Sequence, residues 1–349
     1  MGSVQSCVMG SLCFCAVYLL YGHIYCSYRL LKTNVLSSDR LPSFAYLFIK
    51  YLTKALCRTP GTIYNTSKTE VIYTVLNCRL DHHLLRSFCR AAGYGWDYPD
   101  SEYRDTPLCF PESLFLRPML MLLTDGNFRL SPAGLVRVRQ TLKTLQPVDE
   151  LTKGLFTLQV RILNYRHVDA GVEVDICLSA SSRCSSLVWE SVLTLMSKNK
   201  LKASRCSPVY EHKNEADETD DVKQVELRVP RVTCMQNALS SSEYSPFQLF
   251  SLPARLFGYR SKMPPTLWML SVCFAEIEKH KGVKVITAPV SVTAQFTEPV
   301  LASGKVDIRF WDRTEPGNPS SAQGLSFRMQ QHGGNKRHVV GLISKPYKI

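Results

Sequence analysis

The sequence predicts an α+β protein: two curved antiparallel sheets, each packed on a central helix, preceded by an N-terminal membrane helix. Three observations carry this expectation. Segments 155–163 (LFTLQVRIL), 172–180 (VEVDICLSA) and 187–196 (LVWESVLTLM) are strand-like, through side-chain alternation in the first two and β-branched and aromatic residues in the third. A stretch at 264–280 instead sets Leu267, Leu270, Phe274 and Ile277 at helical spacing among further strand-like runs. Residues 1–28 contain no Asp, Glu, Lys or Arg.

Taken in order, a helix over 8–28 is long enough, at about 1.5 Å per residue, to cross roughly 30 Å of hydrocarbon. Tyr18, Tyr21, Tyr25 and Tyr28 supply amphipathic rings for a membrane interface, and Arg29, Lys32 and Arg40 follow at once. That bias places the body on the cytoplasmic side of a single-pass anchor. A secretory signal fits less well, because the basic n-region and the small-residue cleavage site are missing. The start MGSVQSC also fits an acylation pattern, with Gly2 as myristoyl acceptor and Cys7 as palmitoyl acceptor.

Residues 29–60 form a basic and aromatic juxtamembrane connection, in which FAYLFIKYL at 44–52 lies against the membrane or packs on the body. A first domain is expected over 61–197. In it TEVIYTVLNCRL reads as a strand, DHHLLRSFCRAAGY as a short helix, and the three strands above as a meander, with NYRHVDAG at 164–171 as a turn-containing connection. Residues 198–224 run from basic to acidic with few large apolar side chains and read as a linker or exposed excursion. The second domain, 225–349, holds VELRV, the helix at 264–280 begun by Pro264 and Pro265, and strands in APVSVTAQF, GKVDIRFW, LSFRMQQ and KRHVVGLISK. One apolar helix against a curved antiparallel sheet buries a face of each.

Composition narrows the function classes. The 349 residues carry a formal charge of +13, which suits anionic lipid or an anionic small molecule. No zinc-finger spacing and no basic block interleaved with aromatics is present, so nucleic acid is not an expected partner. Thirteen cysteines, an odd number without a compact framework, read as reduced thiols, and no metal site is expected. Cys109 and Cys177 read as buried apolar side chains, His82 and His83 as a polar helix surface, and Asp125 with Gly126 as a turn. Phosphate loops, HExxH and a nucleophile elbow are absent.

Residues 241–277, SSEYSPFQLFSLPARLFGYRSKMPPTLWMLSVCFAEI, with 106–148 and FTEPVLASGKVDIRFW at 296–311, resemble the MaoC-like dehydratase family across roughly residues 105–345. The resemblance implies a double hot-dog fold and a groove for acyl thioesters such as acyl-CoA, without a permanently bound cofactor. Family members carry an Asp and a His five positions apart around a Pro, and a His-Gly pair opening the central helix. At the matching positions this chain has Glu243, Gln248 and Pro246, with Ser245 before the proline, and Pro265 and Thr266 at the helix. Gln248 hydrogen-bonds but does not exchange a proton near neutral pH. Glu243 carries its carboxylate one methylene further out, and Pro265 has no N–H to give an oxyanion.

The implied protein is therefore a membrane-anchored acyl-thioester binder with lost or attenuated dehydratase activity, a pseudoenzyme. Arg255, Arg260 and Lys262 are its candidate contacts to coenzyme A phosphates, and a homo-oligomer or a protein partner is compatible with it. Two alternatives stand beside it. One is an active 3-hydroxyacyl-thioester dehydratase or enoyl-thioester hydratase, in which His280, His332 or His338 joins Glu243. The other is an interaction scaffold whose pocket is filled by Tyr244, Phe247, Phe250, Phe257, Tyr259 and Trp268.

Overall fold

A computed structural model describes residues 17–18, 21–64, 70–94, 105–198, 222–229, 266–297, 304–313 and 324–345. Helical residues at 21–30 (α1) lead into a short strand, β1 (Val35–Ser37), and then α2 (Phe44–Cys57). Ser43 starts α2 from extended backbone, its side chain accepting the Tyr46 N–H at 3.2 Å, which satisfies one of the orphan donors of the first turn. β2 (Ile72–Cys78) pairs in parallel with β1. α3 (His82–Ala92) is capped by Asp81, which accepts from His83 N at 2.8 Å, and stops at Gly93 in the left-handed region.

A 3-10 segment (Phe110–Phe115) runs directly into α4 (Leu116–Thr124), the central helix of the first half. The strands β3 (Leu135–Thr144), β4 (Phe156–Val168), β5 (Gly171–Ser181) and β6 (Leu187–Lys198) complete this half. The second half comprises β7 (Lys223–Arg228), α5 (Thr266–Lys281), β8 (Val290–Phe296), β9 (Lys305–Arg313), β10 (Gly324–Gln331) and β11 (Arg337–Ser344). Its strands and its helix fall where periodicity places them, because one face of each strand is buried and the pattern is therefore legible.

The two halves share one sheet of order β1-β2-β4-β5-β6-β3-β8-β11-β10-β9-β7. Its seam is the antiparallel pairing of β3 with β8, in a register that sets Leu142 beside Val292 and Gln140 beside Ala294. Both central helices lie on the inner face. Val174, Ile176 and Leu193 turn inward in the first half, and Ile308, Phe310 and Phe327 in the second.

Two expectations change. The segment at 164–171 is not a loose connection: β4 continues through Val168 past an irregularity at Ile162/Asn164, leaving only Asp169 and Ala170 between the strands. Residues 35–57 do not merely connect, since β1 extends the sheet and α2 buries Leu47, Tyr51 and Ala55. Of the membrane helix expected over 8–28, residues 8–16, 19 and 20 lie outside the described residues, and among the described residues no helix is long and apolar enough to cross a membrane. α1 carries the polar or small Gly22, His23 and Ser27 among its apolar residues, and Ser27 is buried where its hydroxyl accepts the Ser43 N–H at 3.2 Å. Residues 1–16, with Gly2 and Cys7, lie outside the described residues.

α2 is tied to the end of α4 by its basic side chains. Lys54 donates to Leu123 O at 3.2 Å and to Asp125 O, and Arg58 donates to Leu130 O at 3.3 Å and to Phe128 O. Cationic donors at a helix C-terminus satisfy carbonyls that have no intrahelical partner. Asp125 itself is the turn residue expected, accepting from Tyr73 OH at 2.5 Å and Asn127 N at 2.7 Å. Burial, then the neighbouring Arg58 charge, pulls the Lys54 amine down to about 7. A lysine that holds its proton less tightly when folded makes the unfolded chain the better proton binder, so its contribution to stability rises with pH from about 7 toward the ordinary lysine value. The unfolding free energy of the native chain relative to Lys54→Met is accordingly expected to increase between pH 7 and pH 10; a flat or falling difference in urea titrations contradicts this.

Candidate functional site

The central helix of the second half opens at Thr266, the one family-matched position among the described residues. Glu243, Ser245, Pro246, Gln248, Pro265, Arg255, Arg260 and Lys262 lie outside them. Thr266 is half-buried, and every residue from Leu267 to Ile277 is buried. Burial on all sides explains why the segment is apolar almost throughout and not merely along one stripe.

Neighbouring elements hold the first turn of α5. Trp268 Nε1 donates to Ala91 O at 2.9 Å, pinning α5 to the last turn of α3. Ser271 donates back to Leu267 O at 2.7 Å. Cys109, just before the 3-10 segment, lies against Ser271 and Cys273, so the second-half helix touches the first-half entry to α4. Burial pushes the Cys109 and Cys273 thiols well above the ordinary range, and burial likewise raises Cys177. A thiol held protonated at neutral pH is a small apolar side chain and not a nucleophile, as the sequence suggests.

Beneath the seam sits a polar cluster that sequence reasoning missed. Arg137 donates to Glu112 Oε1 at 2.5 Å and to Gln140 Oε1 at 3.1 Å. Gln140 Nε2 donates to Glu112 Oε2 at 2.8 Å and to Ser191 Oγ at 3.0 Å. All four residues are buried, Glu112 and Ser191 at 0% exposure. The Glu112 carboxylate balances the Arg137 charge, and these bonds tie β3 and β6 to the 3-10 segment. Strict alternation cannot find it, because 137 and 140 belong to opposite faces of an ideal strand. The irregularity between Arg137 and Arg139 in the β3–β6 pairing turns both inward. The one available signal was a glutamate inside the apolar run FPESLF.

The three histidines expected to be able to join Glu243 stand away from the start of α5. His280 is near the far end of α5, beside Phe310 at 5.9 Å between ring centres. At about 1.5 Å of rise per residue it stands roughly 21 Å along the axis from Thr266. His332 pairs with the buried Asp307, Nδ1 to Oδ1 at 2.9 Å, with Glu226 Oε2 3.9 Å from Nε2. Ile308 and Phe310 face the core, so Asp307 lies on the opposite face of the sheet from α5. On β11 Val339 and Ile343 face the core, which puts His338 on that same outer face. His82 and His83 are exposed on the first turn of α3, as expected.

No family model matches the chain, and no curated protein matches it in sequence. Solved structures do. HtdX of Mycobacterium tuberculosis superposes with a TM-score of 0.59 at 16% identity, over 78% of this chain and 98% of that one. A MaoC-like dehydratase from Phytophthora capsici gives 0.57 at 15% identity, over 85% and 99%. The peroxisomal multifunctional enzyme type 2 from Drosophila melanogaster gives 0.58 at 12% identity, over 79% of this chain and 48% of that protein. Identities this low speak for architecture alone, and the architecture agrees over nearly the full length of two of these proteins: the chain has the double hot-dog fold of the MaoC-like dehydratases.

Proposed function

We propose that this chain is a membrane-associated, MaoC-like protein that binds an acyl thioester beside α5 and has lost or greatly reduced dehydratase chemistry. The observation that carries the reading is the pair Glu243 and Gln248, where the family resemblance calls for Asp and His. An amide at 248 leaves no group to exchange the proton, and removing a positioned acid or base typically costs about 10²–10⁴ in rate. No histidine occurs from 213 to 279 to take its place. The remote positions of His280, His332 and His338 support the same reading. Arg255, Arg260 and Lys262 are the proposed contacts to coenzyme A phosphates, and the uncharged N-terminal stretch is the proposed membrane contact, with the body facing the cytosol.

The test is a titration with crotonyl-, octanoyl- and palmitoyl-CoA. The unfolding temperature is expected to rise with ligand, since saturation at a hundredfold excess over Kd adds about 2.7 kcal/mol to the folded state. Crotonyl-CoA hydration is expected to stay at the uncatalysed level in the native chain. Measurable turnover that Glu243→Gln abolishes overturns the loss of activity. A second reading, an interaction scaffold with a filled pocket, is favoured by the burial of α5 from its second residue and by the anchored Trp268. Unchanged unfolding temperatures at all three chain lengths select it.

A further inference from the structure

α2 is apolar on two faces, and only one of them is used by the fold. Leu47, Tyr51 and Ala55 point into the core. On the other side Ala45, Ile49 and Leu56 are open to solvent, Ile49 at 60% and Leu56 at 71%, at a spacing that aligns them along one helix face. Apart from the Tyr46 and Tyr51 hydroxyls, the polar side chains of this helix are Lys50, Thr53 and Lys54, with no acid among them.

The exposed face continues into α1. Tyr21, Ile24, Tyr25 and Tyr28 are also exposed and share a helical stripe, with Tyr21 and Tyr25 stacked at 6.2 Å. Ser27 of α1 accepts the N–H of Ser43, the residue that starts α2, at 3.2 Å, so the two helices adjoin beside Tyr28. Exposed Arg29, Lys32 and Arg40 flank the junction, Lys32 lying over the Tyr28 ring at 4.8 Å, and Asp39 is the one acidic residue between 21 and 64. Tyrosine and isolated aliphatic side chains ringed by cations are the composition of a helix lying in a headgroup layer.

We infer that the outer face of α2, continuous with the tyrosine stripe of α1, seats in the plane of a membrane surface bearing anionic lipid. This deepens the proposed membrane association and rests on it, but it gives the body a contact of its own. Ile49 and Leu56 enter the acyl boundary, the tyrosine hydroxyls stay at headgroup level, and Arg29, Lys32 and Arg40 meet lipid phosphates. The seat also orients the molecule: α2 packs on α4, so the sheet is held at a set attitude to the bilayer and not on a free tether.

Flotation on vesicles of phosphatidylcholine, with and without phosphatidylserine, tests the inference. Four forms of the full chain are compared: native; residues 8–20 replaced by a polar linker, which leaves α1 intact; the linker form with Ile49→Glu and Leu56→Glu; and the linker form with Leu145→Glu and Leu163→Glu, which changes two exposed leucines elsewhere. The linker form is expected to keep salt-sensitive binding to phosphatidylserine vesicles. Ile49→Glu with Leu56→Glu is expected to weaken it about tenfold or more, with an unchanged unfolding temperature, and the Leu145 and Leu163 changes are expected to leave it intact. A native chain that ignores all vesicles defeats the membrane reading and this inference together. A native chain that floats while the linker form does not defeats the inference alone, as does equal weakening by both pairs of substitutions. Conversion of a dimer to a monomer by Ile49→Glu and Leu56→Glu, without any change in flotation, assigns the face to a second copy and overturns the lipid seat.

Discussion

Glu112→Ala is expected to lower the unfolding free energy by about 3–5 kcal/mol, the usual cost of deleting one partner of a buried ion pair. The magnitude follows from what is left behind. Arg137 is buried beside the Phe296 ring, 6.0 Å from its centre, and loses the carboxylate 2.5 Å away that balanced its charge. Gln140 Nε2 keeps Ser191 but loses its other acceptor. Water cannot easily replace the carboxylate, because all four members are shut inside the seam. The pair itself need not add net stability: desolvating two charges offsets much of their attraction, so joint replacement by Glu112→Leu with Arg137→Met is expected to recover most of the loss. Urea unfolding with an unchanged m-value measures both. A loss below about 1 kcal/mol in the single variant would place the cluster in contact with solvent, contrary to its burial here. Because β3 is the strand that pairs with β8, Glu112→Ala is also expected to loosen the junction of the two halves before either half unfolds.

Gly341→Ala is the second large effect, and its cause is steric. A Cβ at 341 falls 2.3 Å and 2.6 Å from the Phe327 ring and 2.7 Å from Thr293 O, all closer than real contacts. The ring has nowhere to go, being fully buried and packed edge-on against Phe274 of α5 at 5.7 Å. Either β11 draws away from β8 or the aromatic pair is displaced from the helix. Overpacking of this kind costs about 1–3 kcal/mol and sometimes more. It outweighs the gain of about 0.4–1 kcal/mol that Gly→Ala draws from a stiffer unfolded chain. Phe327→Leu in the same molecule is expected to restore part of the loss and not all, because the Thr293 oxygen belongs to the backbone and stays. Gly126→Ala, where an added Cβ meets nothing within 4 Å, is the control expected to be nearly silent. Thermal unfolding of the native chain and these three variants decides it, and Gly341→Ala as stable as the native chain contradicts the close fit of β11 on Phe327.

Much of this architecture was legible because burial on one face writes a period into a strand. LFTLQVRIL, VEVDICLSA, VSVTAQF and KVDIRF alternate, and each is a strand. Leu267, Leu270, Phe274 and Ile277 mark α5 for the corresponding reason at the helical period. Legibility failed where geometry breaks the period. Arg137 and Gln140 share a face only through the irregularity in β3, and β4 runs on through NYRHV past its own irregularity. α2 escaped a firm assignment because it is apolar on both sides, so its composition alone could not say which side the body covers.

From sequence alone came β2, β4 to β11, α3 and α5, the family-like segment with Glu243 and Gln248, and the uncharged leader, since each is a property of residue identity and local spacing. Tertiary structure alone decided that the two sheets are one through β3 and β8, that Glu112 meets Arg137 on the β3 side of that seam, and that three histidines stand away from the opening turn of α5. It also decided which face of α2 is left over. Each of these depends on contacts between residues far apart in the chain, and a local pattern records which side chains prefer burial without recording what they are buried against.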